Sequence, residues 1–386
     1  MKKLFILTSL VAMVLGLMAF QCSSTELTSA KMYINNNNYA KAKESLNKEI
    51  EKNPANEEAL YLMGFIAGEE GEIETMIEFF DRASKAGKKF EEDIKQNRLY
   101  HWATSFNKGV AFYNRAAKVS DSDSTMNFIH LAAVQFKNST LCEPDSFMSY
   151  ENLSYAYISM GQNDKAVAPL KKLIELKGAA ENYSMLGELY LNEGIENYNV
   201  FANSNNVQDS VTAFAFYNKS INILEKGREK YPEDGNILLL LSNAYINANK
   251  IDVAMDAFKA GVEQEPENKY YRYNYGVLLL NDLNYEEAEH QFKKAIEIDP
   301  EYTNAIYNLG VTYFRWGVKL RDEAEAQEIV SDEYKEKLEQ ALPYLEKFLE
   351  TGEEDFALWE LMGKIYANLG MSEKSAEAFD KADSLR

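Results

Sequence analysis

Apolar residues recur three and four places apart along most of this chain, the spacing that gathers them on one face of an α-helix. Between Asn284 and Tyr313 the chain reads NYEEAEHQFKKAIEIDPEYTNAIYNLGVTY, and 34 places earlier it reads KIDVAMDAFKAGVEQEPENKYYRYNYGVLL in the same alternation. Each such stretch predicts two amphipathic helices joined by a short polar turn, and the recurrence predicts a series of these pairs. Glu, Lys, Ala, Leu and Asn dominate, clusters of Val and Thr are few, and Gly (19) and Pro (7) are sparse, so propensity also favours helix over sheet.

In a common register a large apolar residue precedes a small one, at Met63-Gly64, Leu153-Ser154, Leu186-Gly187, Leu241-Ser242, Tyr275-Gly276, Leu309-Gly310 and Met362-Gly363. Three places beyond the small residue stand Tyr157, Tyr190, Tyr245, Leu279, Tyr313 and Tyr366. Further on come Ala166, Ala254 and Ala288, then a large residue four places later, as at Phe80, Leu170, Phe258, Phe292 and Phe379. Pro54, Pro144, Pro232, Pro266 and Pro300 close units, since proline cannot continue a helix. The small residue lets the second helix of a unit approach the first.

This pattern resembles the tetratricopeptide repeat, with a period of roughly 34 residues and a signature of the form W-x2-L-G-x2-Y, A-x3-F, P. YNLGVTYFRWG and WELMGKIYANLG carry it most fully. The resemblance spans residues 26–386 in about nine degenerate copies, and it implies an all-α, right-handed superhelical solenoid. The register around Trp102 stays open.

Three marker spacings exceed the period. Gly64 to Ser154 is 90 positions, Gly187 to Ser242 is 55 and Gly310 to Gly363 is 53, which leaves about 22, 21 and 19 extra residues. Apolar spacing continues through these insertions, near 110–128, 195–215 and 318–338. They therefore read as helical arms between the two helices of a unit, projecting about 15 Å, with Ser124, Ser210 and Ser331 as N-caps.

Residues 1–21 read as an export signal, Lys2 and Lys3 followed by a 17-residue apolar run from Leu4 to Phe20. Cys22 follows directly and resembles the acylated cysteine of bacterial lipoproteins, although Gln21 and Ala19 depart from the usual lipobox. Residues 22–25 are then a lipidated linker, placing the chain at a membrane facing the periplasm or cell surface. An uncleaved anchor and simple secretion are the alternatives. The only other cysteine, Cys142, reads as a buried apolar residue at a helix end. The formal charge is −20, and this disfavours nucleic acid and anionic lipid as partners, leaving membrane contact to the N-terminal lipid.

Reactive groups do not converge. His101, His130 and His290 stand apart, GEEGE at Gly68 lacks the Lys and strand of a phosphate loop, and the glutamate runs read as solvated helix faces. No cofactor, metal or catalytic set is expected. An enzyme assembled from distant units is the remote alternative.

What the resemblance implies instead is a groove lined by the first helix of each unit, binding a protein or peptide. Counting the small marker as eighth, groove positions are the second, fifth, sixth, ninth, twelfth and thirteenth. The sixth holds Asn152, Asn274 and Asn308; the ninth holds Asn243; the thirteenth holds Asn35, Asn192, Asn247, Asn281, Asn368 and, in the eighth unit, Arg315. Amide side chains both donate and accept, so rows of Asn could pair with the backbone of an extended peptide. Tyr270, Tyr273 and Tyr307 stand beside them as apolar contacts. Asn at the thirteenth place could equally satisfy its own helix's last carbonyls. A structural subunit of an envelope or secretion complex, using arms and solenoid ends, is the second reading.

Overall fold

The computed structural model describes residues 24–204, 206–351 and 356–386. The signal segment and Cys22 lie outside the described residues. All described regular structure is helical, in nine consecutive helical hairpins. The first four are α1 (Thr25–Asn35) with α2 (Tyr39–Lys52), α3 (Glu57–Glu69) with α4 (Ile73–Ala86), α5 (Glu91–Ala116) with α6 (Ser122–Cys142), and α7 (Phe147–Ser159) with α8 (Asn163–Leu176). The remaining five are α9 (Ala180–Ser204) with α10 (Val207–Lys230), α11 (Gly235–Asn247) with α12 (Ile251–Gln264), α13 (Lys269–Asn281) with α14 (Tyr285–Ile298), α15 (Thr303–Ala326) with α16 (Glu333–Leu349), and α17 (Phe356–Asn368) with α18 (Ser372–Ser384). The chain divides into two compact units, hairpins one to four up to Lys177 and hairpins five to nine from Gly178. In the second unit the first helices pack side by side, α9 on α11, α11 on α13 and α13 on α15.

Polar caps begin many of these helices. The side chains of Asn38, Asn56, Asp121, Asn206, Asp234, Asn268 and Asn284 each accept a backbone N–H from the first turn that follows, satisfying donors that the helix itself leaves open. Asp121 and Asn206 therefore cap the first two arms, in place of the expected Ser124 and Ser210, which lie inside α6 and α10. Carboxylate and amide oxygens reach the N–H groups where the chain bends. In the third arm Asp332 stands at the N-cap position without a side-chain cap bond, and it is the expected Ser331 whose Oγ accepts from Glu333 N at 3.3 Å.

Each of the six short hairpins turns through one left-handed residue: Asn37, Gly71, Gly161, Asn249, Leu283 and Gly370, with φ between 53° and 80°. Glycine and asparagine reach this region at little cost. Leu283, at φ 61°, is the exception.

The marker residues meet the large residue of the second helix. A Cβ on Gly64 would stand 2.5 Å from the Phe80 ring, and one on Gly109 would stand 2.6 Å from Phe136. Gly109 is thus the missing marker of the third hairpin, and it resolves the register around Trp102. Gly64 to Gly109 and Gly109 to Ser154 are both 45 positions. So half of the extra length precedes the marker as an N-terminal extension of α5, and the rest lies at the tip. The expectation that this whole insertion sits between the two helices is corrected accordingly. The arm of the fifth hairpin extends both helices, to 25 and 24 residues against 13 and 14 in the sixth. The eighth extends mainly its first helix, 24 against 17. Second close approaches, Gly194 to Tyr217 and Gly317 to Leu338, zip these two arms beyond the regular unit.

Cys142 ends α6 with 1% of its surface exposed, and burial pushes its thiol up to about 12.

Candidate peptide-binding face

Hairpins six to eight supply the regular run of first helices on which most of the sequence-picked residues fall. Their amides share one geometry. Nδ2 of Asn274 donates to Tyr270 O at 2.8 Å, that of Asn281 to Val277 O at 2.9 Å, that of Asn247 to Asn243 O at 2.8 Å, and that of Asn308 to Asn304 O at 2.9 Å. Asn152 does the same to Met148 O at 2.9 Å in the first unit. One amide N–H of each is therefore committed to the carbonyl one turn back in its own helix. At Asn152, Asn247 and Asn281 a second amide N–H and Oδ1 remain for the expected two-way pairing with a peptide backbone, whereas Asn308 gives its second N–H to the Tyr273 hydroxyl and keeps only Oδ1.

Depth separates the residues further. Asn281 is exposed, and Asn152, Asn243, Asn247, Tyr307, Asn308 and Arg315 are half-buried. Tyr273 and Asn274 lie one layer deeper, at 7% and 0% exposure. The Tyr273 hydroxyl accepts from Asn308 Nδ2 at 3.2 Å, linking α13 to α15. Burial pushes that phenol up to about 12, with the Asn308 hydrogen bond pulling the other way. Asn274 Oδ1 is buried without a partner, which costs about 1–3 kcal/mol directly beneath the face. Tyr307 packs on Phe348 at 5.0 Å between centroids.

Arg315 has no hydrogen-bond or ion-pair partner among the described residues. It lines a cleft of about 550 Å³ with Leu283, Tyr285, Phe314, Val318 and Lys319, and with the carboxylates of Asp322 and Glu323. Leu283, left-handed and 50% exposed, stands at this cleft. The other five short hairpins give the equivalent turn to Asn or Gly. A bulky residue there costs about 1–2 kcal/mol, so the sequence accepts strain where it sets an apolar side chain beside an uncommitted guanidinium. Sequence reasoning found Arg315 and missed Leu283, Phe314 and Val318. The available signal was the lone Leu among the turn residues of the short hairpins.

Neighbouring groups fix the cleft's walls. Glu289 of α14 accepts from Lys293 at 2.6 Å and from the Tyr313 hydroxyl at 2.8 Å, with Lys337 of α16 at 3.7 Å. Burial alone would raise the Glu289 carboxyl, but these hydrogen bonds and charges outweigh it and hold it below the usual carboxylate range. Lys337 Nζ also sits 3.6 Å from the Trp316 ring centroid, and that ring stacks on Tyr285 at 6.2 Å. The eighth hairpin's arm is thereby fastened to the seventh hairpin. A second hollow, of about 630 Å³, lies among the turns between hairpins and is lined by Glu233, Glu265, Glu267 and Asp299. Its cation is already used, since Lys269 pairs with Asp299 and lies 5.1 Å from both the Tyr270 and Tyr302 rings.

Family models described as TPR repeat and Tetratricopeptide repeat match residues 284–317, 217–273, 149–179 and 356–386. The chain is a tetratricopeptide-repeat protein. Repeats of this fold generally mediate protein–protein interaction. No curated protein matches the chain. Among solved structures, it is similar to a tetratricopeptide repeat protein from Parabacteroides merdae ATCC 43184, with 17% identity, 74% of this chain and 93% of that one covered, and a TM-score of 0.46. It is also similar to YrrB, described as a TPR protein with an unusual peptide-binding site, with 23% identity, coverage of 56% and 92%, and a TM-score of 0.33. TTC0263, a thermophilic TPR protein in Thermus thermophilus, shares 16% identity over 55% of this chain and 98% of that one, at a TM-score of 0.33.

Proposed function

We propose that this tetratricopeptide-repeat protein is a non-enzymatic scaffold of the bacterial cell envelope that holds an extended segment of a partner protein on repeats seven and eight. The observation that carries the reading is the pairing of strained, exposed Leu283 with unpartnered Arg315 in one cleft. Leu283, Phe314 and Val318 would take an apolar side chain, Arg315 a carboxylate, and the Oδ1 atoms of Asn281 and Asn308 the N–H groups of the segment's backbone. Tyr273 and Asn274 support this face from below. The envelope assignment rests on Lys2, Lys3, the apolar run and Cys22, with membrane contact through an N-terminal lipid.

Affinity selection from a random peptide library tests the reading. Peptides enriched by the wild-type chain should combine an acidic with an apolar residue, and Arg315→Glu with Asn281→Ala and Asn308→Ala should lose them while keeping wild-type helix content. Selected peptides that bind this triple variant as tightly as wild type would refute the site.

A further inference from the structure

The arm of the fifth hairpin differs from the other two in a way the peptide-binding face does not use. Residues 197–214, NYNVFANSNNVQDSVTAF, hold a single charged side chain, Asp209, which accepts from Ser204 Oγ at 3.0 Å. The matching stretch of the eighth hairpin, residues 318–335, holds nine charged residues. The neutral arm is also apolar on one side. Tyr198 meets Phe201 at 5.7 Å and Phe214 at 6.5 Å, and Phe214 meets buried Tyr217 at 5.9 Å, so a ladder of rings runs from the core towards the tip. Val207 and Val211, one turn apart on α10 and 71% and 56% exposed, extend it into solvent.

We infer that this arm is a self-association surface, on which a second copy of the chain docks its own fifth-hairpin arm in a two-fold, four-helix contact. Charge selects this occupant. A cationic partner would be drawn to acidic surface anywhere on a chain of net charge −20, and it needs no neutral patch. A like-charged partner does need one, and another copy of the chain is such a partner by definition. Arms projecting about 15 Å and lying against each other would keep the two acidic bodies roughly 15 Å apart, beyond a Debye length of about 8 Å. Asn197, Asn199, Asn203 and Asn206 around the rings suit a wet protein contact, since hydrocarbon would leave exposed amides unpaired. A two-helix face of this length covers on the order of 400 Å² per copy, about half of a standard interface, so the dimer is weak and reversible.

Cysteine cross-linking on the full chain, in cells that produce it, tests this. Val207→Cys is compared with Val330→Cys, which is fully exposed at the tip of the charged arm, and the unsubstituted chain serves as the blank. Mild oxidation should give a disulfide-linked homodimer at position 207 about tenfold faster than at 330, and adding Val211→Asp should abolish the difference. Equal rates at the two positions overturn the inference, as does a product whose mass is not twice that of the chain. Protection of the 207 thiol from a water-soluble maleimide only while the bilayer is intact would overturn it in favour of a lipid surface.

Discussion

Gly109 and Phe136 touch so closely that a single added carbon would stand 2.6 Å from the ring. The contact repeats that of Gly64 with Phe80 and defines the third repeat, whose register the sequence left open. Overpacking at such a point costs about 1–3 kcal/mol or more. Gly109→Val should therefore lower the stability of the N-terminal unit by at least that amount in urea titration. Unchanged unfolding would mean that the helices of the third repeat pair elsewhere.

Leu283 should respond in the opposite sense. Replacing it by glycine relieves the left-handed strain and should stabilise the chain by about 1 kcal/mol, raising the melting temperature. The same change removes an apolar wall of the cleft, so affinity for selected peptides should fall. A Leu283→Gly chain that is less stable than wild type would show that this side chain serves packing and not a ligand.

Acid should act in two steps. His101 is buried in the second and third repeats' interface, where its imidazole lies against Gly68. Desolvation lowers its pKa from the ordinary 6.5, with Glu69 raising it and Lys108 lowering it to a lesser degree. The unfolded chain then binds this proton first, so stability falls as pH drops below about 6.5. Glu58 and Glu289 are held below their ordinary 4.5: burial opposes this, but hydrogen bonds and charges from Lys31 and Lys89, and from Lys293, Tyr313 and Lys337, prevail. Their contribution is complete above about 4.5 and is lost as pH falls through the depressed values. Thermal melts of His101→Leu should show the step below 6.5 flattened and the step below 4.5 intact. Loss of both steps together would contradict this assignment.

The fold was legible because each repeat writes the same instructions. Close-approach markers such as Gly276 and Gly310, apolar faces at helical spacing, and prolines in the turns between hairpins recur whatever the partner is. Gly109 escaped because eleven extra residues shift it out of period on either side. The caps of the first two arms escaped because Ser, Asp and Asn compete for that role, and the chain offers several of them within a few places, as at Asp121 and Ser124. Arg315 was legible from its place in the count. Its freedom from partners was not, because an ion pair depends on neighbours from other helices. The depth of Asn274 was hidden for the same reason, being set by how the first helices pack against one another.

Photo-crosslinking tests the central claim most directly. A photoreactive side chain would replace Asn281, Asn308 or Arg315 on the inner helices, or His290 or Glu297 on the outer helix α14, in cells that produce the chain. The account predicts one partner of the same mass captured from all three inner positions, and none from the two outer ones. Capture from the outer positions alone, or from the arm at Val207 but never from Arg315, would contradict it.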